Sequence, residues 1–176
     1  MVYISVKSSP WKSFNWNIWS LMEIIDPWYV TGFCDGESTF TYSRSNNSLS
    51  LYFAIKLNVD DRELLYKIKD FFGVGKMYVG RPIPPRRYSG HTRTHFYYRV
   101  SRIKDLDRII EHFTKYPLVG KKAKSFAVWK EMVNEKKSSY RKPQREKLNE
   151  LASKLSFLTG KNTAQRNAHG QNNSNM

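Results

Sequence analysis

The sequence predicts an α+β domain, αββαββα around one four-stranded antiparallel sheet, with added helices at the C-terminal end. Three observations carry that prediction. Two apolar stripes at helical spacing, Leu64, Leu65, Ile68, Phe71 with Phe72 and Leu106, Ile109, Ile110 with Phe113, each follow a pair of strand-like segments. Alternation places Leu49, Leu51, Phe53, Ile55 and Leu57 on one strand face and Ser50, Tyr52, Ala54, Lys56 and Asn58 on the other, so the sheet is apolar on one side only. At 176 residues the chain is long enough for one domain with a full hydrophobic core.

Asp26 and Pro27 open the first helix as N-cap and first helical residue, and Gly36 is expected to end it. Ser38 to Ser43 alternates polar residues with Phe40 and Tyr42, and the turn-like pair Asn46-Asn47 joins it to the Leu49–Leu57 strand. Asp60 or Asp61 caps a second helix that Gly73 closes. GKMYV (75–79) and FYYRVS (96–101) form the second strand pair, joined by the loop GRPIPPRRYSGHTRTH. Loops of that length usually carry function or disorder. The third helix runs through KDLDRIIEHFTKY, and Pro117 breaks it before a fourth, KKAKSFAVWKEMVNEK, with Phe126, Trp129 and Val133 inward. A basic loop leads to the last helix, REKLNELASKLSFL. Residues 26–160 read as the domain, 1–25 as an N-terminal extension within which Met22 offers another start, and the polar, Asn-rich 161–176 as a disordered tail.

Charge narrows the function. Lys plus Arg is 30 against 15 Asp plus Glu, and aromatics reach 15%, so the chain is both strongly basic and able to fold. No apolar run of roughly 18 residues marks a membrane span, and no apolar signal-peptide core opens the chain. Cys34 is the single cysteine, which excludes an intrachain disulfide and points to a soluble protein of a reducing compartment, an organelle matrix or a bacterial cytoplasm. The four histidines lack cysteines at zinc-site spacing. A partner of nucleic acid is the leading class. From residue 80 to 102 there are six arginines and no acid, and the polar sheet face adds Lys56, Lys76 and Arg99. A charged strand face is ordinarily just solvated; clustering with aromatics is what argues for a phosphate backbone.

The stretch WYVTGFCDGESTF holds two local costs. Gly32 within a helix costs about 1 kcal/mol against Ala, and an acid at the helix C-terminus faces the negative end of the macrodipole. GFCDGESTF is similar to the signature of the LAGLIDADG homing endonucleases in its G-F-x-D-G-E form. IKLNVDDRELLYKIKDFFGVGKMY and YYRVSRIKDLDRIIEHFTKYPLVGKKAKSFAVWKEM resemble the segments that follow in that family, so the likeness runs collinearly over about residues 26–160.

The resemblance implies a saddle-shaped sheet lying on double-stranded DNA and Mg²⁺-dependent cleavage of both strands of a long pseudo-palindromic site, as in intron or intein homing. It implies Glu37 as the catalytic, metal-binding acid, the Gly36 carbonyl as its companion ligand, and Lys122 as the basic residue near the scissile phosphate, with Lys121 the alternative. One motif supplies one acid per chain, so a homodimer is implied, and Gly32 and Gly36, four residues apart, share the face that would meet its mate. The candidate DNA contacts are Arg44, Lys56, Asn58, Lys76, Tyr78, Arg81, Arg86, Arg87, Arg93 and Arg99. A six-residue strand spans about 20 Å, roughly six base pairs, so two subunits reach on the order of 20 base pairs. Two positions depart from the family pattern: Ser38 stands where Gly is common, and Leu57 where Gln is frequent. They favour the competing class, a non-cleaving relative that acts as a maturase on intron RNA or as a DNA-binding regulator.

Overall fold

The computed structural model describes residues 25–45, 48–80, 95–138 and 145–160. The order is α1 (Pro27–Glu37), β1 (Ser38–Ser45), β2 (Ser48–Asn58), a 3-10 turn (Val59–Asp61), α2 (Arg62–Phe72), β3 (Lys76–Val79), β4 (His95–Val100), α3 (Leu106–Lys115), α4 (Lys122–Ser138) and α5 (Arg145–Thr159). This is the expected αββαββα order with added C-terminal helices. The strands form one antiparallel sheet in the order β1-β2-β4-β3, so β2 and β4 lie in its middle. The extension 1–24, most of the long Arg-rich loop and the tail 161–176 lie outside the described residues.

Helix α1 starts as its sequence dictates. The Asp26 Oδ1 accepts from the Trp28 and Tyr29 amides at 2.8 and 3.0 Å, with Pro27 in the first turn. Its end differs from expectation. Gly36 does not terminate the helix in a left-handed turn; the helix runs on through Glu37 and passes directly into β1 at Ser38, whose φ is −81°. The reason is a capping group within the strand itself: both the Ser38 amide and its hydroxyl donate to the Cys34 carbonyl, the hydroxyl at 2.6 Å. Gly73 does close α2 in the left-handed region, with φ 68°. Asp61 occupies the α2 N-cap without a side-chain capping bond, because the preceding residues are already wound into the 3-10 turn.

Helices cover one face of the sheet. Phe40, Leu51, Phe53, Ile55, Tyr98 and Val100 point into a core completed by Leu65 and Ile68 of α2, Ile109 and Phe113 of α3, and Phe126, Trp129 and Val133 of α4. The Phe40 ring touches Phe53, Phe113, Phe126 and Trp129 at centroid distances of 5.2–5.5 Å. Trp129 also donates its indole N–H to the Thr41 carbonyl at 3.2 Å, so the largest core side chain is polar-satisfied. Helix α5 is tied to β1 through the Tyr42 hydroxyl, which reaches the Ala152 carbonyl and the Ser156 Oγ.

One buried polar pair joins α1 to α3. The Thr31 hydroxyl donates its single proton to the Tyr116 carbonyl at 3.1 Å, so it must accept from His112 Nε2–H, also at 3.1 Å. Aromatic rings of Phe71, Phe72, Phe113 and Tyr116 surround that imidazole, and burial pushes its pKa down to about 4. The folded state therefore holds fewer protons than the unfolded chain between pH 6.5 and 4. Stability from this site is complete above pH 6.5 and is lost as pH falls; unfolding titrations should show His112→Gln removing a loss on the order of 2–3 kcal/mol between pH 7 and pH 4.

Candidate active site and nucleic-acid interface

The C-terminal end of α1 meets the N-terminal end of α4. Gly36 and Glu37 are exposed there, while Ser38 is buried beneath them. The Lys122 ammonium donates to the Gly36 carbonyl and lies 3.4 Å from the Cys34 carbonyl. A cation from another helix thus sits on the negative end of α1, answering the dipole conflict created by Glu37. Burial lowers the Lys122 pKa, opposed by the nearby Glu37 and Asp35 carboxylates. Lys121, by contrast, is exposed. The Cys34 thiol is buried and pushed up to about 12, which leaves it protonated and chemically quiet.

Asp35 also joins the two helices. Its Oδ2 accepts from the Val119 and Gly120 amides at 3.1 and 2.6 Å, just ahead of α4, and its Oδ1 is buried without a hydrogen-bond partner. Position 120 needs glycine for space: a Cβ there would lie 2.9 and 3.0 Å from the two Asp35 oxygens. Sequence reasoning missed Asp35, although its place directly before Gly36 was visible. Gly120→Ala should lower thermal stability by about 1–2 kcal/mol through that overlap. Asp35→Ala, which empties the position, should cost about 2–3 kcal/mol through two lost charge-assisted bonds. Calorimetry of the two variants and their double mutant checks both, the double being less than additive.

The oxygens at this helix end fit a hard divalent cation in part. Glu37 offers a carboxylate and Gly36 a carbonyl that already attracts the Lys122 ammonium as a stand-in cation. Among the described residues no three His, Cys, Asp or Glu side chains gather as a metal site. Such a cation would need further oxygen ligands from outside this helix end to complete its coordination.

The uncovered sheet face carries the second set of candidates. Register places Thr39, Ala54, Arg99 and Lys76 in one cross-strand row and Lys56, Tyr97 and Tyr78 in the next, with Asn58 opposite His95 beyond them. A shallow groove is lined by Thr39, Thr41, Tyr52, Ala54, Lys56, Tyr78, Tyr97 and Arg99. The Arg99 guanidinium stands 3.7 Å over the Tyr52 ring and the Lys56 ammonium 5.5 Å from the Tyr97 ring. Lys56, Asn58, Lys76, Tyr78 and Arg99 thus share one surface. Arg44 does not join them: strand parity turns it to the helical side, where it donates to Asn149 of α5 at 3.0 Å. Arg81, Arg86, Arg87 and Arg93 lie outside the described residues. The tyrosines that hold the cations, Tyr52 and Tyr97, were legible as members of the polar face but not as stacking partners.

On α1, Tyr29, Gly32 and Gly36 form an exposed stripe, and a Cβ at either glycine would meet nothing within 4 Å. Residues 30–133 match the family model for LAGLIDADG endonuclease, more than half of the sequence, and the chain belongs to that family. It is 28% identical to the probable intron-encoded endonuclease 3 of Neurospora crassa over 62% of this chain and 20% of that one. Among solved structures it is similar to the LAGLIDADG meganuclease I-AabMI bound to uncleaved DNA, with 33% identity, a TM-score of 0.61 and coverage of 73% and 44%. It is also similar to I-SmaMI bound to an uncleaved DNA target in the presence of calcium ions, with 25% identity, a TM-score of 0.64 and coverage of 84% and 49%. The chain spans about a quarter or less of the length of such curated relatives and just under half of these solved chains. No helix among the described residues is long and apolar enough to cross a membrane.

Proposed function

We propose that this chain is a site-specific, double-stranded DNA endonuclease of the homing type, acting with Mg²⁺ as a homodimer on a long pseudo-palindromic site. The observation that carries the reading is the meeting of Glu37, the Gly36 carbonyl and the Lys122 ammonium at one helix end. That end adjoins a sheet whose uncovered face presents cations and tyrosines and, among the described residues, no acid. Glu37 and the Gly36 carbonyl would hold the divalent cation. When bound, that ion neutralises phosphate charge and supplies an activated water.

The chain's own residues do the rest. Lys122, which burial makes easier to deprotonate and which rests on the Gly36 carbonyl, exchanges that carbonyl for a phosphate oxygen and stabilises charge developing there. Asp35 keeps the start of α4 against α1 so that the lysine remains within reach of Glu37. The cations of the sheet face bind the duplex through phosphates and base edges. The stripe of Tyr29, Gly32 and Gly36 packs on its two-fold mate, bringing two Glu37 carboxylates to one double-strand break. An organelle matrix is the compartment we propose, as befits an enzyme encoded by an intron near its own target.

The test is cleavage of DNA spanning the insertion point of the gene, with the insert removed, in Mg²⁺ and in EDTA. Cutting of both strands near the insertion point in Mg²⁺ alone is expected. Tight duplex binding with no product in Mg²⁺ would instead support the non-cleaving class. One observation weighs against that class: Ser38, a departure from the family pattern, is buried as the cap of α1 and leaves Glu37 exposed.

A further inference from the structure

Resting on the reading of the sheet face as a DNA-binding surface, we propose that Arg99 is the side chain that reads a guanine in each half-site, and that Tyr52 is the residue that positions it. Arg99 lies on β4 in the middle of the sheet, between Ala54 of β2 and Lys76 of β3. Its guanidinium carbon is 3.7 Å from the Tyr52 ring centroid, the closest of the cation–aromatic contacts among the described residues. Arginine carries large rotamer entropy, and a ring beneath it removes much of that freedom before any ligand arrives.

The Arg99 Nε is buried and makes no hydrogen bond, which leaves the terminal amino groups to donate. Among the described residues the ion pairs join Lys69 to Asp70, Arg108 to Glu111, Lys137 to Asp107, and Lys147 to Glu131 and Glu135. None of these acids lies on the uncovered face, and Arg99 has Lys76 as its cross-strand neighbour, so among the described residues the site is cationic and holds no carboxylate to pair with the guanidinium. Guanine presents two adjacent acceptors, O6 and N7, in the major groove, the match for a two-donor fork.

A phosphate offers the same paired acceptors, and position decides between them. Arg99 lies on an inner strand of the sheet and lines the groove together with Tyr52, Tyr78, Tyr97 and Lys56. A surface whose centre enters the major groove puts its central residues against base edges and its margins against the backbone. Ala54, the small neighbour on β2, leaves room for a base edge beside the guanidinium. Lys56 and Lys76 are exposed and retain their flexible stems, which suits them to phosphates.

The test selects binding sites from a randomised duplex library with the full chain in Ca²⁺, comparing wild type, Arg99→Ala, Arg99→Lys, Tyr52→Phe and Tyr52→Leu, each checked for folding by thermal melting. Wild type should enrich a motif with a guanine in each half-site. Arg99→Ala and Arg99→Lys should lower discrimination for that guanine about 10- to 100-fold and leave other positions intact. Tyr52→Phe, which keeps the ring, should behave as wild type; Tyr52→Leu should relax preference at the same guanine alone. Uniform weakening across all sequences by both Arg99 variants would make it a phosphate contact and overturn the proposal, as would an unchanged motif. If Arg99→Ala fails to fold, Arg99→Lys and the Tyr52 pair decide by the same criteria. A wild-type chain that binds duplex DNA with no sequence preference would instead remove the site-specific reading on which the proposal stands.

Discussion

Glu37→Gln is expected to reduce the rate of DNA cleavage by about three orders of magnitude or more, roughly 4 kcal/mol of transition-state stabilisation, while duplex affinity stays within a few-fold. The substitution keeps the shape and removes the charge. Glu37 is exposed at the end of α1, and the core beneath is held by Ser38, Phe40 and their neighbours, so the variant should melt with the wild type. What it removes is the one carboxylate beside the Gly36 carbonyl that is free to face a cation, since Asp35 is committed to the Val119 and Gly120 amides. Removing a negative charge near a polyanion should leave binding unchanged or slightly tighter. Single-turnover cleavage and gel-shift titration separate the two effects, and a variant that cuts at the wild-type rate refutes the assignment of Glu37.

The second large effect should have opposite signs for stability and activity. Gly32→Leu should raise the stability of the chain by up to about 1 kcal/mol, because a mid-helix glycine is replaced by a good helix former. Nothing in the chain itself resists the change: a Cβ at position 32 meets no atom within 4 Å. If the Gly32 and Gly36 stripe packs on a two-fold mate, the leucine will prevent close approach of the two helices. The variant should then sediment as a monomer and lose double-strand cleavage at least 100-fold. A stabilised variant that remains dimeric and active would place the subunit contact on another face.

Much of this architecture was legible because it depends on local chemistry. Asp26 before Pro27, Gly73 at a left-handed φ, and the alternation along β2 each state a preference that neighbours in sequence satisfy alone. The end of α1 was read less well. A glycine near a helix end suggests termination, but Ser38 supplies a cap from within the strand that follows, and a helix does not stop where its next residues can still bond. Arg44 shows the same limit. Its charge suggested the DNA-facing set, but Arg44 shares the parity of Phe40 and Tyr42 and turns to α5, so the alternation along β1 outweighs charge in deciding its face.

The sequence by itself determined that this protein is a basic α+β domain with one polar sheet face and a glycine-bearing, acid-ended first helix. Those properties follow from periodicity, capping and charge, which act over a few residues. Only the tertiary structure decided that Lys122 lies on the Gly36 carbonyl 86 residues away, that Asp35 holds the two helices together, and that Arg99 stacks on Tyr52. Hydrogen bonds and ring contacts of that kind require atoms to meet within a few ångströms, and which residues meet is settled by the packing of the core, where volume and shape outweigh order along the chain.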